Sequence, residues 1–104
     1  MLYRNFRPRG GGEVDIVCRD KKENALVFIE VKTRTSTEFG RPADAVNRDK
    51  RELITRGALA WLRLLDNQDI LFRFDIVEVL IAKSGKPEIT LIRDAFQLPQ
   101  RMIW

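Results

Sequence analysis

The sequence predicts an α/β domain in which a mixed β-sheet is flanked by a helix. Three observations support this fold class: an N-terminal strand followed by a β-hairpin, one long segment with helical periodicity, and two further strand-like segments. The order β, β-hairpin, α, β, β gives an α/β domain with a mixed sheet. Because 44% of the 104 residues are hydrophobic, we expect one modest core and a single domain over residues 1–104.

The N-terminal elements are a strand, a turn and the hairpin. Residues 2–7 have the pattern of a short strand, and residues 8–12 form a turn rich in glycine. Residues 13–19 and 25–34 are rich in Val, Ile and Phe, and they flank the polar stretch 20–24. An antiparallel hairpin is therefore predicted here.

The hairpin register follows from the numbering. Pairing that is symmetric about the polar turn places Asp15 opposite Glu30, and Glu13 opposite Lys32. Because side chains alternate along a strand, these four residues share one face. The other face is predicted to be apolar and to carry Val14, Ile16, Cys18, Val27, Ile29 and Val31.

The predicted acidic face requires a compensating charge. Two carboxylates at the end of a buried face lose hydration and repel each other, so we expect a cation or several donors beside Asp15 and Glu30. Two structural explanations stay open as well. Glu13 and Lys32 can form an ordinary cross-strand ion pair, and Asp15 can cap the end of a strand near water.

A polar loop and a long helix follow the hairpin. Residues 35–46 form a loop that leaves the second hairpin strand, where it is well placed to contact a substrate. Asn47 is a suitable N-cap for a helix from residue 48 to about residue 66. Lys50 and Arg51 lie in the first turn, where a helix favours acidic groups, and this indicates an external anion near them.

The C-terminal part is predicted to add two strands. Residues 71–82 form the first and residues 88–93 the second, and a tail follows from residue 97 to 104. Asp75 lies within the first of these strands. Since an acid in such a run is costly unless it is exposed or paired, Asp75 is an edge residue, a partner for an arginine such as Arg73 or Arg34, or a supporting group near the site. We favour the supporting role.

Composition excludes several kinds of chemistry. The chain contains no histidine and a single cysteine, Cys18, so imidazole bases, Ser-His-Asp triads, His-containing zinc sites and an internal disulfide are excluded. Hard oxygen ligands remain, and these suit Mg²⁺ or Mn²⁺.

The net charge of +4 gives modest support for a polyanionic partner. No signal peptide or membrane-spanning run is evident, so we expect a cytoplasmic protein without membrane contact.

Asp15, followed after fourteen residues by Glu30, Val31 and Lys32, matches the D…(D/E)xK motif of restriction-endonuclease-like nucleases. This short motif lies within collinear blocks that cover nearly the whole chain. The blocks are residues 4–7 (RNFR), 11–17 (GGEVDIV), 27–34 (VFIEVKTR), 39–46 (FGRPADAV), 73–77 (RFDIV) and 92–96 (IRDAF). Together they resemble the YraN-like family of small bacterial predicted endonucleases.

The resemblance implies a restriction-endonuclease-like fold and a set of roles. Asp15, Glu30 and the carbonyl of Val31 would hold Mg²⁺ or Mn²⁺, and Lys32 would act on the attacking water and the transition state. Lys50 matches a recurrent family lysine and is expected to contact phosphate. Two residues complete the expected site: Arg34 as a phosphate clamp, and Glu13 as a supporting group or an alternative metal ligand.

One feature departs from the family. Its members usually begin with a helix that carries a further glutamate, whereas this chain starts inside the matching strand, so that helix is expected to be missing. The uncovered sheet surface would then favour a homodimer or higher oligomer.

The expected function is Mg²⁺-dependent endonuclease activity on nucleic acid, with DNA favoured over RNA. Two alternatives stay open. One is a nucleic-acid-binding module that has lost turnover, and the other is a protein-interaction domain whose acidic cluster is structural. Cleavage that depends on Mg²⁺ distinguishes the first from salt-sensitive binding alone, and a lack of affinity for any nucleic acid would favour the second.

Overall fold

The computed structural model describes residues 1–35, 47–65, 70–82 and 85–97. These residues form five strands and one helix: β1 (Tyr3–Phe6), β2 (Val14–Asp20), β3 (Ala25–Thr35), α1 (Arg48–Leu65), β4 (Leu71–Ile81) and β5 (Glu88–Phe96). The strands lie in the order β1-β2-β3-β4-β5. Only β3 and β4 are parallel, so the sheet is mixed. The predicted α/β class is confirmed. Of the loop predicted at 35–46, Thr35 belongs to β3 and residues 36–46 lie outside the described residues. The same holds for residues 98–104 of the tail predicted at 97–104.

The predicted hairpin register is confirmed. Ile16 pairs with Ile29 and Val17 with Phe28, and this register places Asp15 opposite Glu30. The turn is closed by the Asp20 carboxylate, which accepts hydrogen bonds from the backbone N–H groups of the second and third residues after it, at 3.0 and 3.3 Å. A short acidic side chain that bonds its own backbone in this way is a common turn device, and it fixes the symmetric pairing.

Helix α1 links β3 to β4, because parallel neighbours need a crossover connection, and it packs on one face of the sheet. Its buried stripe includes Ile54, Ala58 and Leu62, spaced four residues apart. The sheet side of this core is formed by Val17, Leu26, Phe28, Phe74, Ile76 and Phe96. By alternation along β3, Glu30 lies on the same helix-covered face as Phe28. The helix therefore shields the carboxylate from water.

Strand β5 is longer than predicted, and its register shifts beside Asp75. Asp94 adopts φ 52 in the left-handed region, which Asp tolerates better than most residues. This irregularity lets Phe96 pair with Phe74, and their rings stack with centroids 4.7 Å apart. The three extra residues close the core at the end of the sheet where β4 begins.

One predicted face assignment is wrong. Alternation places Val14 on the apolar face away from the helix, but Val14 is buried in the same core as Ile54 and Ala58. The reason is a close crossing of residues 12–14 over α1, where the backbone N–H of Glu13 donates to the carbonyl of Leu53 at 3.0 Å. The packing of residues 12–14 against α1 therefore determines where Val14 lies, and the alternation of side chains along β2 does not.

Two glycines permit this crossing. Gly12 has φ +101, and a Cβ on it would lie 2.4 Å from the backbone nitrogen of Gly57. A Cβ on Gly57 would lie 2.8 Å from Cγ2 of Val14. Neither position has room for a side chain, so the pair sets how closely the start of β2 approaches the helix.

Gly12→Ala is therefore expected to destabilise the protein by about 3 kcal/mol or more, because it combines backbone strain with overpacking against backbone atoms. Urea denaturation measures the effect. Gly10→Ala is the matched control, since nothing lies within 4 Å of a Cβ at that position. Equal stability of the two variants would contradict the close crossing.

The sheet face opposite α1 carries an apolar region beside the Arg73–Asp75 pair, and no helix covers this face in the described ranges. Residues on it include Ile16, Val31, Val77, Val79, Ile89 and Leu91, of which the last two are more than half exposed. Homo-oligomer formation stays a prediction. In the part of the chain that the structure describes, no helix has the length and apolarity needed to span a membrane.

Candidate functional site

The site lies where the start of β2 faces the middle of β3, beside the first turn of α1. The hairpin brings Asp15 and Glu30 together there, and the first turn of α1 brings Lys50. Glu13 lies just before β2, beside the crossing at Gly57. Four of the predicted site residues therefore meet in one place.

Glu30 is the most perturbed group of the site. Its side chain is only 6% exposed, and its Oε1 lies 3.4 Å from Nζ of Lys50. Its Oε2 is buried and has no hydrogen-bond partner within the described ranges. Burial, together with the nearby Asp15 carboxyl, raises the pKa of Glu30 from 4.5 to about 7, against the opposing effect of Lys50.

Asp15 is fixed by the backbone of the neighbouring strand. Its Oδ2 accepts a hydrogen bond from the backbone N–H of Val31 at 2.9 Å. This bond orients the carboxylate of Asp15 beside Glu30, and the charge of Asp15 helps to raise the pKa of Glu30. The predicted convergence of Asp15 and Glu30 on one face is confirmed.

Lys50 is the internal cation of the site. Its ammonium forms an ion pair with Oε1 of Glu13 as well as with Glu30. The side chain of Asn47 accepts a hydrogen bond from the backbone N–H of Lys50 at 2.9 Å, so the predicted N-cap is in place. Burial by itself would lower the pKa of Lys50, but Glu13 and Glu30 raise it overall.

Glu13 does not pair with Lys32 as the register predicts. It lies before the first residue of β2, and its two oxygens contact Lys50 and Arg7, the latter at 2.9 Å. The hydrogen bond from Lys50 lowers the pKa of Glu13 despite partial burial, and the charge of Arg7 acts in the same direction. The predicted cross-strand pair is therefore replaced by a contact between sheet and helix.

Lys32 is exposed at the end of β3, two residues beyond Glu30 on the same face. Within the described ranges it has no ion-pair partner. Lys32 is therefore accessible from solvent on the sheet face that carries Asp15 and Glu30.

Arg34 is buried, although it is predicted to clamp phosphate. It is 7% exposed, and its Nε lies 3.3 Å from Oε2 of Glu78 on the neighbouring strand. A role for Arg34 in substrate binding stays a prediction. In the structure, Arg34 forms an ion pair with Glu78 across β3 and β4.

Asp75 lies away from the site. It occupies the sheet face opposite Glu30, where Arg73 Nε contacts its two oxygens at 3.1 and 3.4 Å and the backbone N–H of Asp94 donates to it at 2.9 Å. Arg73 also pairs with Asp20. The sequence leaves several explanations open for Asp75, and the structure shows the pairing with an arginine. No contact in the described ranges joins Asp75 to the candidate site, so the favoured supporting role is not supported.

Sequence reasoning missed the role of Gly57 and the partner of Lys50. No motif marks Gly57, because its importance comes from the chain that crosses it. A signal for Lys50 did exist, since a lysine in the first turn of a helix indicates a nearby anion. Glu13 and Glu30 of the same chain are such anions, and contact of Lys50 with an external phosphate stays a prediction.

The donor set fits a small, hard cation. Two carboxylates converge, and Glu30 contributes a buried oxygen that lacks a partner, which is the state a ligand atom would have without its ion. In the described ranges no group of three or more His, Cys, Asp and Glu side chains is arranged to hold a metal. Two carboxylates suit Mg²⁺, which usually keeps several waters.

Comparison with known sequences shows the family. A sequence model of the uncharacterised protein family UPF0102 matches residues 1–79. The chain belongs to this family. The matched range contains the residues of the candidate site, from Glu13 to Lys50.

Three similar relatives are all named UPF0102 proteins. One from Trichlorobacter lovleyi is 44% identical over 98 residues, which cover 94% of this chain and 76% of the relative. Those from Geotalea daltonii and Geobacter sulfurreducens are 46% and 47% identical over 98 residues, covering 94% of this chain and 75% and 74% of the relatives.

Proposed function

We propose that this protein is a Mg²⁺-dependent nuclease that hydrolyses phosphodiester bonds in nucleic acid. The observation that supports the proposal is the pair of carboxylates formed by the partly buried Asp15 and the buried Glu30, with an unpartnered oxygen on Glu30 and an exposed lysine, Lys32, two residues away. A buried carboxylate with an unpartnered oxygen costs stability, and such costs are typical of functional sites.

Asp15, Glu30 and the carbonyl of Val31 are the residues that would hold Mg²⁺ or Mn²⁺. When bound, the cation supplies charge that stabilises the oxygens of the phosphate undergoing attack. The hydrogen bond from Val31 to Asp15 keeps one carboxylate in place before any ligand arrives. Preorganisation of this kind lowers the cost of binding.

Lys32 would act on the reacting groups from the solvent-exposed side of the site. Its exposed ammonium would position the attacking water and stabilise the negative charge that develops on the phosphate in the transition state. The net charge of +4 supports attraction of a polyanion to the protein as a whole. Glu13 would support the site indirectly, since it holds Lys50 beside Glu30.

A cleavage assay tests the proposal. The protein is incubated with Mg²⁺ or Mn²⁺ and with duplex, single-stranded and branched DNA and matching RNA, and Asp15→Asn is the negative control. We expect cleavage by wild type and none by the variant. Salt-sensitive binding without cleavage would identify a binding module, and no affinity for any nucleic acid would favour a protein-interaction domain.

Metal binding can be measured without substrate. Mg²⁺ or Mn²⁺ is expected to raise the melting temperature of wild type, because a ligand that binds the native state stabilises it. Asp15→Asn should abolish this increase, since asparagine can still accept the hydrogen bond from Val31 but lacks the charge. Asp49→Asn removes a carboxylate from the first turn of α1 and should keep the increase. An equal increase in wild type and Asp15→Asn would place the metal elsewhere.

A further inference from the structure

We propose that Lys50 occupies the cation position of this site with its own ammonium, and that a divalent cation binds by displacing Lys50 from Glu30. The proposal rests on the metal site of the proposed function and concerns how that site is regulated. In this view Lys50 is a built-in competitor that keeps the carboxylates neutralised until a divalent cation arrives.

The contacts of Lys50 support the proposal. Its ammonium lies between two carboxylates, pairing with Oε1 of Glu13 and lying 3.4 Å from Oε1 of Glu30. Both contacts join the helix to the hairpin strands. A buried carboxylate needs a nearby cation, and Lys50 is the ion-pair partner of Glu30 in the described ranges.

A second cation cannot join this arrangement without cost. A divalent ion held by Asp15 and Glu30 would stand close to the Lys50 ammonium, and like charges at such a distance repel strongly where water is largely excluded. The free oxygen of Glu30 marks where the incoming cation would first bind. Full coordination by Glu30 therefore requires the ammonium to move away.

Lys50 is able to move. Its side chain is 33% exposed and has a flexible four-carbon stem, whereas Glu30 is almost completely buried. After the ammonium leaves Glu30, Glu13 would still hold it through Oε1. Arg7 binds Oε2 of Glu13 and so keeps this carboxylate in place. Once it has left Glu30, the ammonium of Lys50 could also bind a phosphate at the N-terminus of α1, where anions are favoured.

The test measures Mn²⁺ affinity by isothermal titration without nucleic acid. Lys50→Met removes the competitor and should bind Mn²⁺ about tenfold or more tighter than wild type. Arg48→Met is the matched control. It removes a positive charge from the same helical turn, where the side chain is 77% exposed and pairs with Glu52. Its affinity should stay within about twofold of wild type because exposed charges are screened.

Two results would overturn the proposal. One is a Lys50→Met variant that binds Mn²⁺ no more tightly than wild type, including the case in which neither binds. A purely structural role gives this result, since it lowers the melting temperature of the variant without raising its metal affinity. The other is an NMR signal of the Lys50 ammonium, observed in wild type, that stays unchanged at saturating Mg²⁺. The NMR measurement decides the question even if Lys50→Met does not fold.

These outcomes separate the displacement from the nuclease proposal. Tighter Mn²⁺ binding by Lys50→Met with no cleavage of any substrate would support the displacement and reject the nuclease function. Cleavage by wild type with no gain in Mn²⁺ affinity for Lys50→Met would support the nuclease function and reject the displacement.

Discussion

Lys32→Ala is expected to reduce cleavage by roughly 10²–10³-fold, the scale of losing one group that stabilises developing charge in a transition state. Binding of the uncleaved substrate should change little, because one exposed charge contributes a small part of a multi-charge interface. Single-turnover rates and dissociation constants are measured on the same substrate. The exposed position of Lys32 means that the substitution leaves the fold intact.

Two comparisons make this prediction specific. Lys21→Ala removes an exposed lysine from the hairpin turn at the opposite end of the sheet and should leave the cleavage rate unchanged. If Lys50 contacts phosphate, Lys50→Ala should weaken binding and reduce its salt dependence more than it slows turnover of bound substrate. A Lys32→Ala variant whose binding falls as far as its cleavage would contradict a catalytic role for Lys32.

The hairpin and its two carboxylates could be predicted from the sequence because their geometry is local. A turn of known centre fixes the pairing of both strands, so the numbering of Asp15 and Glu30 is enough to place them opposite each other. The helix could be predicted for a similar reason, since its apolar residues recur with the helical period and Asn47 caps its first turn.

Contacts between distant segments could not be predicted in this way. Lys50 and Glu13 are 37 residues apart, and their meeting depends on the angle at which α1 docks on the sheet. That angle is limited by the close approach of Gly12 to Gly57, which no local pattern encodes. The same limit explains Arg34, because a buried partner such as Glu78 is visible only once β3 and β4 are paired.

Glu30→Gln is expected to stabilise the protein at neutral and alkaline pH. The pKa of Glu30 is raised from 4.5 to about 7 in the folded state, so the unfolded chain loses this proton first as pH rises. Stability therefore falls between about pH 4.5 and pH 7, and the full cost is present above the folded pKa. At 1.36 kcal/mol per pKa unit, this cost is roughly 3 kcal/mol.

The prediction is tested by urea unfolding of wild type and Glu30→Gln at about pH 4, 6 and 8 in the presence of a chelator. The variant should be more stable by up to roughly 3 kcal/mol at about pH 8, and the difference should shrink toward zero at about pH 4. Glutamine keeps the size of the side chain, and Lys50 retains Glu13 as its partner. Glu88→Gln, at an exposed strand position, is the control and should show no such pH-dependent difference.

A difference that does not depend on pH, or a variant that is less stable than wild type at about pH 8, would contradict the raised pKa of Glu30. If the variant is more stable and also loses the increase in melting temperature with Mg²⁺, the same carboxylate costs stability and binds the cation. Natural proteins keep such a cost where function requires it, because selection acts on activity once stability exceeds a threshold. That combined result would assign Glu30 a functional role. If the carboxylate served only to stabilise the fold, its replacement by glutamine would lower the stability of the protein.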